Sequence, residues 1–308
     1  MRNVFADEIY LQSLKRKDIY VLVADISPAG KISKFQKRNP NNFLNVGVSE
    51  QTMIGMSAGL AMEGKKVFAY TISTFSLYRP FEMIRVDLCY QKIPVTVVGM
   101  GAGTIYSNLG GTHLTQEDIS VARSVPNLNI IAPCDPLELK EAIKFCINKS
   151  KNPIYLRIGK AGEKNYSLNA IKKWKFGQLR QLSRGKDICF LSFGPIIKKA
   201  FNISNKLSEK NISSEIYSCH TLKPFDENGL KKIFKKFKRV VIIEDHSEIG
   251  GLASIVKQRA YEFKFTGKIV SYSLKDKFIN CFGNQQDLLD KHGINDRNIY
   301  KSIIKFLK

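Results

Sequence analysis

Asn45-Val46-Gly47-Val48-Ser49-Glu50-Gln51-Thr52-Met53-Ile54-Gly55-Met56-Ser57-Ala58-Gly59 is the stretch from which the fold can be read. Before it, Phe43-Leu44-Asn45-Val46 has the short, bounded apolar character of a buried strand. After it, residues 51–62 predict a helix apolar on most faces, with Gly55 and Gly59 four residues apart. Residues at that spacing share a helix face, so the pair lets another backbone come close, at a cost of about 1 kcal/mol each relative to alanine. Glu50 falls at the strand-to-helix turn among apolar neighbours, where the helix dipole favours a carboxylate. Two readings stay open on spacing alone. Either Ser49 caps the helix and Glu50 decorates its first turn, or the carboxylate has work of its own.

Outward from this stretch the pattern repeats. Strands are expected at 19–24, 67–70, 94–99, 129–132 and 154–158, with helices at 4–17, 75–90, 116–124 and 137–146. Ser27-Pro28-Ala29-Gly30 reads as a turn, the basic, Asn-rich segment 31–42 as a loop, and Gly99 to Gly111 as a glycine-rich loop. Strands alternating with helices through short turns imply a mostly parallel sheet covered on both faces. Apolar periodicity then fails, and 163–186 reads as a linker with one short strand around Trp174. A second series follows, with strands at 188–193, 214–217, 240–244 and 268–272, and helices at 195–207 and from 250. The expectation is two consecutive α/β domains with mostly parallel sheets: 1–162, the linker 163–186, and 187–308.

At 308 residues both domains can bury a core, and with 44% apolar residues and no apolar run near 18 no membrane span is expected. The start, Met1 to Glu8, lacks the apolar centre of a signal peptide. The six cysteines, with no Cys-x-x-Cys pair, read as buried thiols of a reducing compartment, so the cytoplasm is expected. The net charge of +22 comes from 49 basic and 27 acidic residues, but the lysines are spread over solvated helix faces such as Lys231-Lys232 and Lys235-Lys236. No nucleic-acid partner is expected from it. Attraction of phosphorylated sugars is compatible with the charge.

The Glu50 stretch resembles the "G-I-x-E-Q-x-x-x-G-x-x-x-G" segment in the pyrimidine-binding domain of thiamine-diphosphate enzymes of the transketolase family. Ser73-Thr74-Phe75 followed by Arg79-Pro80-Phe81-Glu82 is similar to that family's "S-T-F" and "R-x-[FY]-[DE]-Q" pieces. Gly111-Thr112-His113 resembles its "D-G-x-T-H" loop, and Glu117-Asp118-Ile119 the "E-D-I" of separate-subunit members. Leu222-Lys223-Pro224-Phe225-Asp226 and Glu244 to Leu252 look like the family's C-terminal domain.

The resemblance implies that Glu50 hydrogen-bonds the aminopyrimidine ring of thiamine diphosphate and activates it, from a place poor in water. It implies an aromatic stacked on that ring: Phe75, with Tyr78 second, beside Arg79 in the cofactor contact. His113 would face the substrate for proton transfer or hydroxyl binding, and Lys160 would align with a basic residue that binds substrate phosphate. Leu109 stands where the "D-G-x-T-H" pattern has its aspartate. His246 falls in a region that supports subunit packing in the family. No Gly-Asp-Gly occurs anywhere in the chain. The diphosphate and Mg2+ would then be held mainly by an N-terminal subunit on another polypeptide, in a two-plus-two assembly. Asp25 and Asp118 lack the second ligand set needed to replace that anchor. The implied function is the C-terminal subunit of a split transketolase moving a two-carbon ketol unit between sugars or sugar phosphates. The alternatives are a deoxyxylulose-phosphate synthase-like reaction, a 2-oxo acid dehydrogenase beta subunit, and a non-catalytic subunit that keeps the fold.

Overall fold

The computed structural model describes residues 1–28 and 30–307. The chain builds β1 (Ile19–Val23), β2 (Phe43–Asn45), β3 (Lys66–Ile72), β4 (Thr96–Met100), β5 (Asn129–Ile131) and β6 (Ile154–Ile158). It continues with β7 (Arg180–Gln181), β8 (Ile188–Ser192), β9 (Ser214–Ser218), β10 (Thr221–Lys223), β11 (Arg239–Ser247) and β12 (Lys268–Leu274). A seven-stranded sheet has the order β10-β5-β6-β4-β3-β1-β2, and a five-stranded sheet the order β12-β11-β8-β9-β7. All pairings in the first sheet are parallel except β10 on β5. In the second only β7 runs against its neighbour, β9.

Side chains alternate across each strand, so every strand feeds two cores. Val21, Phe68, Tyr70, Val98 and Leu156 face the helices Arg2–Ser13 and Pro136–Asn148. Leu22, Ala69, Val97 and Tyr155 face the opposite way, onto Met53, Ile54, Ile84 and Ile119. That second cluster does not stop at the domain boundary. It continues through Leu222 into Leu191, Val240, Ile242 and Leu252 of the five-stranded unit. The far face of the second sheet, with Phe190, Val241 and Ile243, packs on Ile197–Ser208 and Asp296–Leu307.

Four local expectations need correction. The segment 31–42 is not a loop: Ile32–Arg38 is a helix, followed by a 3-10 turn Pro40–Asn42, because Ile32 and Phe35 dock into the core. The helix expected at 75–90 breaks at Pro80, which cannot donate the next backbone bond, and resumes through Phe81–Met83 into a π-helical turn Ile84–Tyr90. No strand forms at Trp174. Its ring stacks on His220 at 4.9 Å, and the short strand is β7 instead. β10, which leaves the second unit to pair with β5, has too few residues for a period to show. Of the turn at 27–30, Ala29 lies outside the described residues.

Because one apolar cluster spans both sheets, the chain should unfold in a single calorimetric transition. Leu222→Ala, at a residue 2% exposed, should lower stability by about 2–5 kcal/mol without splitting that transition. Two independently shifting peaks would refute the shared core.

Candidate active site

Four adjacent or nearly adjacent parallel strands, β2, β3, β4 and β6, release the chain at the same sheet edge. Each release carries residues singled out from the sequence: Glu50 after β2, Phe75, Tyr78 and Arg79 after β3, His113 after β4, and Lys160 after β6. The carboxyl edge of a parallel sheet is where α/β folds bind ligands, because the loops there diverge and the helix N-termini point inward.

Glu50 opens the helix Glu50–Met62 and is 2% exposed. Ser49 does not cap that helix with its side chain; its hydroxyl bonds Thr52 Oγ1 at 2.6 Å instead. The partner of Glu50 is Arg79, whose Nη1 donates to Oε2 at 2.7 Å. Among the described residues nothing donates to Oε1. The Arg79 guanidinium lies over the Phe75 ring, 5.2 Å from its centroid. Phe75 meets the His113 imidazole edge-on, with centroids 5.3 Å apart at 79°. On the far side of His113 stands Tyr106, at 6.1 Å, and the Lys160 ammonium sits 4.5 Å above the Tyr106 ring. Glu50, Arg79, Phe75, His113, Tyr106 and Lys160 therefore form one continuous row.

Tyr78 does not join it. Its hydroxyl is buried, and burial with the Asp118 and Glu117 carboxylates nearby pushes its ionisation far up. Phe75 is thus the aromatic beside His113. Tyr106 was not foreseen. The one signal for it is Gly101, where any Cβ would overlap the Tyr106 ring.

The carboxylates elsewhere are spoken for. Asp118 Oδ2 accepts from Arg157 Nε and from the Tyr155 hydroxyl, both at 2.8 Å, and all three groups are buried. Arg157 Nη2 reaches across to the backbone carbonyl of Asp245 at 2.9 Å. Among the described residues no cluster of three His, Cys, Asp or Glu side chains could hold a metal ion. His246 is fully buried, with Nδ1 2.8 Å from the Ser247 carbonyl and Nε2 3.8 Å from Asp118. Burial lowers its pKa to about 4, despite Asp118. His220 is lowered to about 4 for the same reason. The row at the sheet edge can offer a water-poor carboxylate, a ring face, a half-exposed imidazole and an ammonium.

Comparison with known proteins points the same way. Residues 1–162 match the transketolase pyrimidine-binding domain, and residues 177–299 the transketolase C-terminal domain. The chain is 29% identical over 307 residues to one of the two apulose-4-phosphate transketolase chains of Phocaeicola vulgatus, covering 100% of this chain and 97% of that one. It is 29% identical over 254 residues to the 6-deoxy-6-sulfo-D-fructose transketolase subunit of a Clostridium species, covering 82% and 78%. A split-gene transketolase solved as an inactive beta4 tetramer superposes with a TM-score of 0.88 at 30% identity, covering 99% of this chain and 97% of that one.

His246 generates a pH prediction. Between pH 6.5 and about 4 the unfolded chain takes a proton on this residue that the folded chain refuses. Stability therefore falls as pH falls through that window, by about 1.4 kcal/mol per unit for the one group. Urea titrations should show wild type losing stability more steeply than His246→Asn there. Parallel curves would rule this out.

Proposed function

The chain belongs to the transketolase family, and on that footing we propose that it is the C-terminal subunit of a split, thiamine-diphosphate-dependent enzyme transferring a two-carbon ketol unit between sugars or sugar phosphates. The observation that carries this reading is the row from Glu50 to His113 at the carboxyl edge of the first sheet. Glu50 fits an aminopyrimidine ring. It is a buried carboxylate with one oxygen fixed by Arg79 and the other without a described donor, beside the Phe75 ring.

Thiamine diphosphate, when bound, supplies the acidic thiazolium carbon and the electron sink for ketol transfer. Glu50 shares a proton with a pyrimidine nitrogen, in surroundings where that proton is not lost to water. Arg79 fixes the orientation of the carboxylate, and Phe75 offers its ring for stacking. His113 takes or gives the substrate hydroxyl proton, and Lys160 supplies positive charge for a substrate phosphate. Leu109, 44% exposed and four residues ahead of His113, offers a hydroxyl no carboxylate. That favours a sugar from a specialised pathway, as the two relatives named for apulose-4-phosphate and 6-deoxy-6-sulfo-D-fructose do.

The diphosphate and Mg2+ belong to a partner subunit in this reading, consistent with the want of a metal-binding cluster among the described residues. The helix Glu50–Met62 exposes Gln51, Thr52, Gly55, Met56, Gly59 and Met62, and nothing lies within 4 Å of a Cβ placed on either glycine. This face suits the backbone of a second chain in a two-plus-two assembly. Five of the six free cysteines are buried, which suits the cytoplasm, and among the described residues no helix is long and apolar enough to cross a membrane.

Calorimetry should detect no thiamine diphosphate binding by this chain alone with Mg2+, and binding once the partner is added. Tight binding by the chain alone would overturn the shared site. In the assembled enzyme Glu50→Gln should lower kcat by about 10²–10⁴-fold. Activity surviving that change would defeat the catalytic assignment.

A further inference from the structure

The loop that leaves β4 is held by the other domain. Asp245, on β11, accepts the Thr104 backbone N–H at 3.1 Å and the Thr104 hydroxyl at 2.9 Å. Gln285 Nε2 closes the group, donating to Asp245 Oδ2 at 3.1 Å and to Thr104 Oγ1 at 3.2 Å. Thr104 is fully buried, Asp245 nearly so, and any Cβ on Gly103 would overlap the Asp245 carboxylate. A carboxylate buried among donors is a stiff anchor, since releasing any of them strands a charge away from water.

The anchoring is passed along the loop. Gly103 pairs with Thr115, whose N–H donates to the Gly103 carbonyl at 3.0 Å. Thr115 Oγ1 hydrogen-bonds the Ser73 hydroxyl, at the start of the helix Ser73–Leu77 that carries Phe75. Leu114 is buried against Ile279 and Leu288, and a Cβ on Gly110 would come within 2.9 Å of the Phe282 ring. His113 therefore lies between two points, Gly110 and Leu114, covered by the 279–288 segment.

We propose that Asp245 and Gln285, with the apolar cover of Ile279, Phe282 and Leu288, are positioning residues of the second domain that fix the 104–115 loop and so aim His113 beside Phe75. The second domain thereby sets the geometry of a site whose reacting groups all lie on the first. The role of His113 rests on the function proposed above; the bracing of its loop does not.

Hydrogen exchange on the full chain tests the brace directly, in wild type, Asp245→Asn, Thr104→Val and Thr104→Ser. Amides of 104–115 should exchange roughly tenfold faster in Asp245→Asn and Thr104→Val. Thr104→Ser, which keeps the hydroxyl, should match wild type, and amides of β1 and β8 should not change. In the assembled enzyme the first two variants should lose roughly 10–100-fold in kcat with the KM for thiamine diphosphate unchanged, and Thr104→Ser should be rescued. Should Asp245→Asn fail to fold, the two Thr104 variants decide alone. Wild-type exchange in folded variants, or faster exchange with unchanged kcat, overturns the proposal. An assembly inactive even as wild type would defeat the functional reading, and the exchange rates would still decide whether the loop is braced.

Discussion

The Arg157 guanidinium is the contact on which the arrangement of the two domains depends. It is 4% exposed, donates Nε to Asp118 and Nη2 to the Asp245 carbonyl, and lies 5.4 Å from the centre of the Phe193 ring. A buried charge is costly unless its hydrogen bonds are made, and removing one partner of such a pair costs more than the pair gains. The position of β11 against β6 is therefore fixed by a requirement, not a preference: only with Asp245 in place is every side of Arg157 compensated. The apolar cluster shared by the sheets gives the junction its area, and Arg157 gives it one registration.

With that registration fixed, the carboxyl edge of the first sheet becomes a platform. β2, β3, β4 and β6 bring Glu50, Phe75, His113 and Lys160 into a row although up to 110 residues separate them in sequence. The platform is open on one side. Val48 is 72% exposed, Met56 41% and Met62 55%, all on or beside the helix that begins with Glu50. Exposed apolar surface next to a buried carboxylate marks a half-site, since nothing in this chain excludes water from the side the ligand must enter.

How legible this was depended on length of pattern. The alternation of apolar strands and helices in the first 160 residues could be read because each strand is buried on both faces and stands out as an apolar run. The Glu50 stretch was legible because a helix start and two glycines at four-residue spacing leave a mark within fifteen residues. What could not be read were elements whose reason lies elsewhere in space. The helix Ile32–Arg38 has a loop-like composition, and only the pocket receiving Phe35 makes it a helix. β7 and β10 are two and three residues long, and exist because β9 and β5 offer free edges. The neighbours of His113 were hidden likewise: Tyr106 and Asp245 carry no local pattern, and the bond from Asp245 to Thr104 crosses 141 positions.

The four histidines show why burial, rather than residue type, selects the one that can work. His220 and His246 lie in the interior, and burial holds both near pKa 4, so neither carries a proton it could give at neutral pH. His292, 4% exposed, is lowered by burial and by Lys277 and Lys275, and its Nδ1 is taken by the Lys275 N–H. Each of these rings is fixed by its packing in one protonation state. His113 alone is half-exposed, bonded by Nδ1 to the adjacent Thr112 hydroxyl, with its ring edge against Phe75. Proton transfer needs a ring that reaches solvent or substrate and is aimed by neighbours that do not consume its nitrogens. Of the imidazoles in this fold, only the one on the braced loop meets both conditions.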